Sequence, residues 1–347
     1  MDITPDRLDR LRLVPDPAAD QLVSECFAAD RAARLYQVLQ QPFPLLQPGA
    51  EPVAAFLLSV RACPDWLNQD LLRRGHSVFQ AHTAPIMGIL GSFSLPFCYA
   101  AAPGNKALYL SDKMRKAPGK RLLDTARFVQ AVCQSGATEA FTYAVNRTRL
   151  IHAIARWHLH ARGWNQAWGE PINQEDMAGT NLAFSYLVLL GLQQSGVTLS
   201  VKEKEGYLHL WRFIGYALHI EEELLPADLA GARTLTNVIR KRNLQKSAEG
   251  IALTRELIQF YQEVSGSRDA RPIEAQLAWY LGPEVAGFLG IEVSPSAYRW
   301  VNFVHQCNTL GRLLDRPLPG LDPFARLQTA FLRQSGKDAA GSRVFKK

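Results

Sequence analysis

The chain has 347 residues, of which 47% are hydrophobic and 20% charged, and its formal net charge is +7. This composition is typical of a globular protein and excludes a largely disordered chain. The basic excess is modest, and no dense run of lysine and arginine with interleaved aromatic residues accompanies it. We therefore do not expect a nucleic acid partner.

The five cysteines lie far apart in the sequence and form no CxxC pair, which argues against a zinc knuckle, an iron–sulfur cluster or a disulfide framework. The first residues contain no apolar core of signal-peptide length. The longest apolar stretch, Leu182–Leu192, is shorter than the roughly 20 residues that a transmembrane helix needs. We expect a cytoplasmic protein with reduced thiols and no transmembrane segment, and leave peripheral membrane contact and the oligomeric state open.

Hydrophobic residues recur at helical spacing along most of the chain, and few segments alternate with period two. An amphipathic helix is predicted first, from Asp20 to Gln41, and the prolines that begin at Pro42 end it. The helices predicted next are Val53–Arg61, Gln69–Val78, the apolar Ile86–Ala101 with a break at Pro96, Arg121–Gln134 and Glu139–His160.

The second half of the chain is also predicted to be helical. A loop over Trp164–Asn173 leads into a helix that Asn173 caps and that ends at Gln194. Ser200 and Glu203 have the spacing of a capping box at the start of the next helix. The remaining helices are predicted to run from there to His219 and over Gly231–Asn243, Ala248–Val264, Arg271–Leu281 and 296–316.

No glycine- and serine-rich linker, composition shift or repeat of fixed period divides the chain. We therefore predict an all-α fold with a single large helical domain over residues 1–334. Residues 335–347 (SGKDAAGSRVFKK) are polar and basic, and we expect them to form a disordered tail.

His152 is the first candidate for chemistry, because it lies in an apolar stretch of a predicted helix (LIHAIA). A neutral imidazole on such a helix is a good axial ligand for haem iron. Arg149 and Arg156 lie one turn away on the same face and could pair with haem propionates. The alternative is a core histidine whose nitrogens bond to backbone or carboxylate groups. His158 and His160 do not face one another, so we interpret both as surface or interface residues.

Arg121 and Thr125 are the second candidate, because they lie one helical turn apart and share a face. A fixed cation beside a hydroxyl could polarise bound dioxygen or hold a propionate. The alternative is an exposed arginine near a helix start and a threonine bonded to its own backbone.

Two further stretches are less specific. PINQEDMAGT, residues 171–180, has the acidic first turn of a helix. Glu175 and Asp176 are adjacent in this stretch, so their side chains diverge on a helix and do not form a catalytic pair. WRFIGY, residues 211–216, is typical of a buried aromatic helix, in which His209 and the following His219 are ordinary core or surface residues.

Taken together in this order, the pieces RLLDT (residues 121–125), TRLIHAIAR, WGEPINQEDMAGT and YLHLWRFIGY with ELLP resemble one family. It is the latex clearing protein family of rubber oxygenases together with the MpaB-like oxygenases, and the resemblance covers roughly residues 65–230. It implies a globin-like helical core around one b-type haem. It also implies that His152 is the proximal iron ligand and that Arg121 and Thr125 belong to the distal pocket. Where rubber-cleaving members carry a lysine before the threonine, this chain has Asp124.

The function expected from the resemblance is a haem-dependent oxygenase or peroxygenase. Its substrate would be a small hydrophobic, isoprenoid-like molecule, with dioxygen or peroxide as the oxidant. The alternatives are a non-catalytic haem carrier or gas or redox sensor on the same scaffold, and a haem-free helical interaction protein.

Overall fold

The structure is a computed structural model that describes residues 3–40, 52–110, 118–134 and 138–313. Within these ranges the chain is helical and forms no strand, apart from one isolated bridge between Ala101 and Leu244. The prediction of an all-α protein is confirmed. The predicted tail, residues 335–347, lies outside the described residues, and the extent of the domain over residues 1–334 stays a prediction.

The helices follow one another with short connections. Those of the first half are α1 (Pro5–Leu11), α2 (Pro17–Ala28), α3 (Ala32–Gln40), α4 (Pro52–Leu58), α5 (Gln69–Ala81), α6 (Thr83–Ile89), α7 (Leu95–Ala100), α8 (Ala102–Leu110), α9 (Pro118–Gln134) and α10 (Glu139–Ala161). Those of the second half are α11 (Gln174–Phe184), α12 (Tyr186–Gln194), α13 (Val201–Ala217), α14 (Leu229–Asn243), α15 (Ala248–Ser265), α16 (Arg271–Phe288) and α17 (Pro295–Leu313).

Two predicted helix starts have the expected caps. The Asn173 side chain accepts a hydrogen bond from the backbone N–H of Asp176 at 3.0 Å, which fixes the start of α11. Ser200 and Glu203 form a complete capping box at the start of α13. Both caps satisfy backbone N–H groups that have no partner inside their helix.

The structure differs from the predicted elements at three places. A residue with positive φ, Asp30, separates α2 from α3 where one helix was predicted. A π-helical turn, Leu90–Ser94, carries the chain from α6 into α7, and Pro96 causes no break because it lies in the first turn of α7. The helix predicted from Asn173 to Gln194 is divided at Ser185, whose side chain donates to the Asn181 carbonyl at 2.8 Å and favours a bend.

The main hydrophobic core forms around the contact between α5 and α13, which pack more extensively than any other described pair of helices. Gly75 and Gly206 lie at their crossing. A Cβ atom on Gly75 would come within 2.4 Å of the Gly206 carbonyl oxygen, and one on Gly206 would lie 2.7 Å from the Arg74 Cβ. The absence of side chains therefore allows the two backbones to approach closely.

The helix that carries His152, α10, lies between this core and a layer formed by α2, α3 and α4. Val23, Leu35 and Leu57 of the layer are buried in a cluster with Leu150 and Ala153 of α10. This packing fixes one side of α10 and leaves the His152 side free for other contacts.

One continuous helix among the described residues, Thr83–Ala100, is long and apolar enough to cross a membrane. More than half of it, 56%, is buried inside the structure. The buried core helix of a soluble protein has the same properties, so this helix is weak evidence for a membrane span.

Candidate functional site

His152 lies on an accessible stripe of α10 that is formed mostly by small side chains. Ala144, Thr148, Ile151 and Ala155 share this face with it, and each keeps accessible surface. The Thr148 hydroxyl is turned back onto the Ala144 carbonyl at 2.9 Å and does not project from the stripe. The helix therefore offers a shallow surface on both sides of the imidazole.

The His152 imidazole makes no hydrogen bond with any described residue. Burial lowers its pKa to about 3, and the nearby charges of Arg156 and Arg121 act in the same direction. The ring is therefore neutral at ordinary pH and has a nitrogen lone pair available. The ring is strongly desolvated and still keeps accessible surface, and we infer from this combination that it faces an internal cavity.

Arg121 lies near His152 and has no charged partner among the described residues. It forms no hydrogen bond or ion pair with them, and burial lowers its pKa although Tyr99 and Cys98 act against that shift. A buried guanidinium with no counter-charge is costly, so this position favours an anionic or strongly polar ligand. The sequence-based alternative of an exposed arginine is wrong for this residue.

Thr125 lies one turn after Arg121, is partly accessible and makes no hydrogen bond with a described residue. Its predecessor Asp124 points outward, where it is exposed and accepts a hydrogen bond from Arg127 at 3.2 Å. The prediction that Asp124 turns away from the Arg121 face is confirmed. Thr125 and Arg121 thus present a hydroxyl and a cation on the same side of α9.

Arg149 and Arg156 are held by two acidic residues at the start of α2, the N-cap residue Asp16 and Asp20 in the first turn. Asp16 accepts from Arg149 Nε at 2.7 Å and from its Nη2 at 3.0 Å, while Asn146 accepts from Nη1 at 3.1 Å. Each nitrogen of Arg149 therefore has a protein partner. Their expected role in cofactor binding stays a prediction for both arginines.

Arg156 is less fully bound than Arg149. Its Nε donates to Asp20 at 2.8 Å and its Nη1 to the Ile172 carbonyl at 3.3 Å, whereas Nη2 is buried and has no hydrogen-bond partner among the described residues. Arg156 thus keeps a free donor group near His152.

A second group of polar residues consists of Cys98 of α7 with Asp176 and Thr180 of α11. Burial raises the pKa of the Cys98 thiol to about 12, and Thr180 hydrogen-bonds to it. Burial also raises the pKa of the Asp176 carboxyl to about 6, although Arg12 acts against that shift. Asp176 and Arg121 both act electrostatically on Cys98, so both charged groups lie in the neighbourhood of the thiol.

The sequence predicts no catalytic pair at Glu175 and Asp176, and in the structure the two carboxylates have different surroundings. Glu175 is fully buried and bound by Arg12, Arg242 and Asn243 at 3.2, 2.9 and 3.0 Å, as a structural carboxylate would be. Asp176 keeps accessible surface and accepts hydrogen bonds from the Asn173 side chain at 3.0 Å and from Arg12 at 3.4 Å. Its spacing of four residues from Thr180, one helical turn, was the available signal for a shared face.

Three other histidines have partners of their own. His158 lies at a contact between helices, because its Nε2 is 2.8 Å from the Tyr36 hydroxyl of α3 and its ring contacts Phe27 of α2. His160 forms an exposed ion pair with Glu170 at 2.8 Å. His209 is buried and accepts a hydrogen bond from the backbone N–H of Asn68 at 3.0 Å, which confirms it as a core residue.

The comparison with protein families identifies the kind of domain that contains this site. Residues 73–312 match the family described as ER-bound oxygenase mpaB/B'/Rubber oxygenase, catalytic domain. The chain belongs to this family. The match includes α9, α10, α11 and α13, so the four sequence pieces that suggested the family all lie inside it. Membership places the chain among oxygenase catalytic domains.

Two relatives agree with this assignment. The chain is 26% identical over 266 residues to "Rubber oxygenase" from Streptomyces sp. (strain K30), a match that covers 73% of this chain and 64% of that protein. The chain thus spans less than two thirds of that relative's length. It also has the fold of the solved latex clearing protein LCP in the closed state, with a TM-score of 0.77 and 23% identity over 96% of this chain and 91% of that one.

Proposed function

We propose that the protein is a b-type haem-dependent oxygenase or peroxygenase that acts on a small hydrophobic, isoprenoid-like molecule. The observation that carries the proposal is the state of His152, a neutral imidazole that faces an internal cavity and has no hydrogen-bond partner among the described residues. Haem, when bound, would supply the iron that activates dioxygen or peroxide.

The residues around the cavity fit such a group. The ring nitrogens of haem supply four iron ligands, so a single side chain of the protein would suffice to hold the iron, and the neutral imidazole of His152 would serve as that ligand. The small neighbours Ala155 and Thr148 leave room for a flat ring against α10. Among the described residues no group of three or more metal-binding side chains could hold a bare metal ion.

The buried cations fit the two carboxylates of haem. Arg121 has no partner for its charge among the described residues, and Arg156 has a free Nη2. A propionate would satisfy the Nη2 group of Arg156, with a charge-assisted hydrogen bond that is stronger in a dry cavity than in water, and this leaves Arg121 for the distal side. Because Asp16 and Asn146 occupy the Arg149 nitrogens, we assign Arg149 to holding α10 in place beside the propionate region.

We assign Arg121 and Thr125 to the distal side, opposite His152. A guanidinium keeps its charge at any working pH, and the hydroxyl can donate or accept beside it. Such a pair would stabilise negative charge that develops on an oxygen species in the cavity, because preorganised donors in a low-dielectric site lose little to solvent screening. Asp124 faces outward and leaves this side open.

The absorbance spectrum of the purified protein, expressed with adequate iron, tests the proposal. We expect a Soret band and one non-covalently bound b-type haem, because the sequence has no CxxCH motif for covalent attachment. A preparation that is colourless and takes up no added haemin would contradict it. Oxidation of an isoprenoid that depends on dioxygen or peroxide would distinguish an oxygenase from a haem carrier or sensor.

A further inference from the structure

The exposed aromatic side chains of the described residues are gathered on one helix, α17. Tyr298, Trp300 and Phe303 lie on it, and no other phenylalanine, tryptophan or tyrosine among the described residues is exposed. Trp300 and Phe303 are exposed by 51% and 52%, and their ring centroids lie 5.9 Å apart. The two rings therefore form one apolar patch, and a grouped patch marks an interaction surface more often than a single exposed residue does.

The inner face of α17 is already bound to the protein. Val301 and Val304 are buried, and the His305 ring stacks on Trp279 of α16 with centroids 3.7 Å apart. The Gln276 side chain also hydrogen-bonds to His305 at 2.9 Å. The outward rings are therefore not needed to attach the helix, and they remain available to a partner.

The charge of α17 favours an anionic partner. The helix contains Arg299 and Arg312 but no aspartate or glutamate. Arg299 is exposed, lies next to Trp300 in the chain and forms no ion pair with a described residue. At about 100° per residue, Arg299 also lies on the same side of the helix as Phe303. The patch thus combines aromatic rings with an unpaired cation, in a chain whose formal net charge is +7.

The size of the patch argues against a second copy of the chain as the partner. An aromatic side chain offers roughly 150–250 Å² of contact surface, so the half-exposed rings of Trp300 and Phe303 together present on the order of 200 Å². A stable dimer buries about 800 Å² on each partner. A bilayer surface makes a smaller demand, because rings at the headgroup level enter only about 5–10 Å and basic side chains meet anionic lipids beside them.

We propose that the outward face of α17 binds the surface of an anionic lipid bilayer, with Trp300 and Phe303 among the headgroups and Arg299 against the lipid phosphates. The contact is peripheral and uses no residue of the proposed haem site. An apolar, isoprenoid-like substrate dissolves in bilayers. Under the proposed function, the contact would therefore bring the protein to the phase in which its substrate is concentrated.

The test measures partition of the full-length protein onto vesicles of phosphatidylcholine with phosphatidylglycerol. We expect wild-type protein to bind them. The double variant with Trp300→Ser and Phe303→Ser should bind at least about tenfold more weakly, because it removes the inserted rings. Val60→Ser is the matched control, since Val60 is 79% exposed but lies outside α17, and this variant should bind like wild type.

Two further variants separate charge from insertion. Arg299→Gln should weaken binding about fivefold on vesicles with phosphatidylglycerol and should not change binding to pure phosphatidylcholine. Lys202→Gln, which removes an exposed cation from α13, is its control and should bind like wild type. Trp300→Phe keeps a ring, so it should bind nearly as well but lose the blue shift of tryptophan emission that accompanies insertion.

The outcomes separate the lipid contact from the haem proposal. Circular dichroism first establishes that each variant is folded, and binding is measured on haem-free and on haem-loaded protein. An absent Soret band then counts against the proposed function and not against the lipid contact. No partition of wild-type protein, or equal partition of the double variant, would overturn the contact. Dimers that form without lipid and are lost in the double variant would assign the patch to a second copy and would also overturn it.

Discussion

Asp16 binds Arg149 through two hydrogen bonds, from Nε to Oδ2 at 2.7 Å and from Nη2 to Oδ1 at 3.0 Å. Both side chains are largely buried, with exposed fractions of 12% and 5%. Burial alone would raise the pKa of Asp16, but the hydrogen bonds and charge of Arg149 lower it below its ordinary value. This ion pair joins the start of α2 to α10, one helical turn before His152.

Asp16→Asn should therefore destabilise the fold strongly. Removal of one partner leaves the Arg149 charge buried and uncompensated, which typically costs about 3–5 kcal/mol. Urea unfolding of the haem-free protein measures this cost. The matched control is Asp70→Asn, which removes the partner of Arg73 in a pair exposed by more than 70% on both sides and should cost no more than about 1 kcal/mol. Equal losses of unfolding free energy in the two variants would show that the buried pair contributes no more to stability than the exposed pair.

Asp176→Asn should change how stability depends on pH. The folded-state pKa of Asp176, about 6, lies above its ordinary value of 3.8. The folded protein therefore binds this proton more tightly than the unfolded chain, and the stability due to it falls as pH rises from about 4 to about 6. Asparagine does not ionise and so pays no cost for a buried charge. The free energy of unfolding of the variant should therefore rise relative to that of the wild type across that window, by up to about 3 kcal/mol. Parallel stability curves from urea unfolding at pH 4.5 and pH 7 would contradict the assignment.

Gly206→Ala should destabilise the crossing of α5 and α13. A Cβ atom there would lie 2.7 Å from the Arg74 Cβ and 3.0 Å from the Gly75 nitrogen, so the backbones would have to separate. Overpacking of this kind costs about 1–3 kcal/mol. Gly287→Ala on α16 is the control, because a Cβ atom there meets nothing within 4 Å and alanine favours helix by up to about 1 kcal/mol. A melting temperature that is unchanged in Gly206→Ala would show that the crossing can adjust.

The helices and the candidate histidine could be predicted from the sequence, but the groups that surround the histidine could not. His152 could be recognised because its apolar neighbours are adjacent in the chain, and the caps at Asn173 and Ser200 are equally local. The pairing of Arg149 with Asp16 could not, because the two lie 133 residues apart. The environment of Asp176 depends on Arg12, 164 residues away, and on the approach of α8.

The predicted distal pair is tested by ligand binding. Thr125→Ala should keep haem but alter the affinity for carbon monoxide or imidazole, and Arg121→Ala should do the same or also loosen haem, because a buried charge would be removed beside it. Arg127→Ala serves as the control, since Arg127 lies on the exposed side of α9 and pairs with Asp124. Unchanged affinity and oxidation rate in both distal variants would show that the pair is structural.

The central claim is that His152 binds haem iron, and the Soret band of two histidine variants tests it most directly. His152→Ala should lose the band or retain haem only weakly, because it removes the imidazole that faces the cavity. His158→Ala, six residues later on the same helix, should keep the band, because the His158 ring is bound to Tyr36 on the other side of α10. A His152→Ala protein with an unchanged Soret band, or a His158→Ala protein that folds and lacks it, would contradict the account.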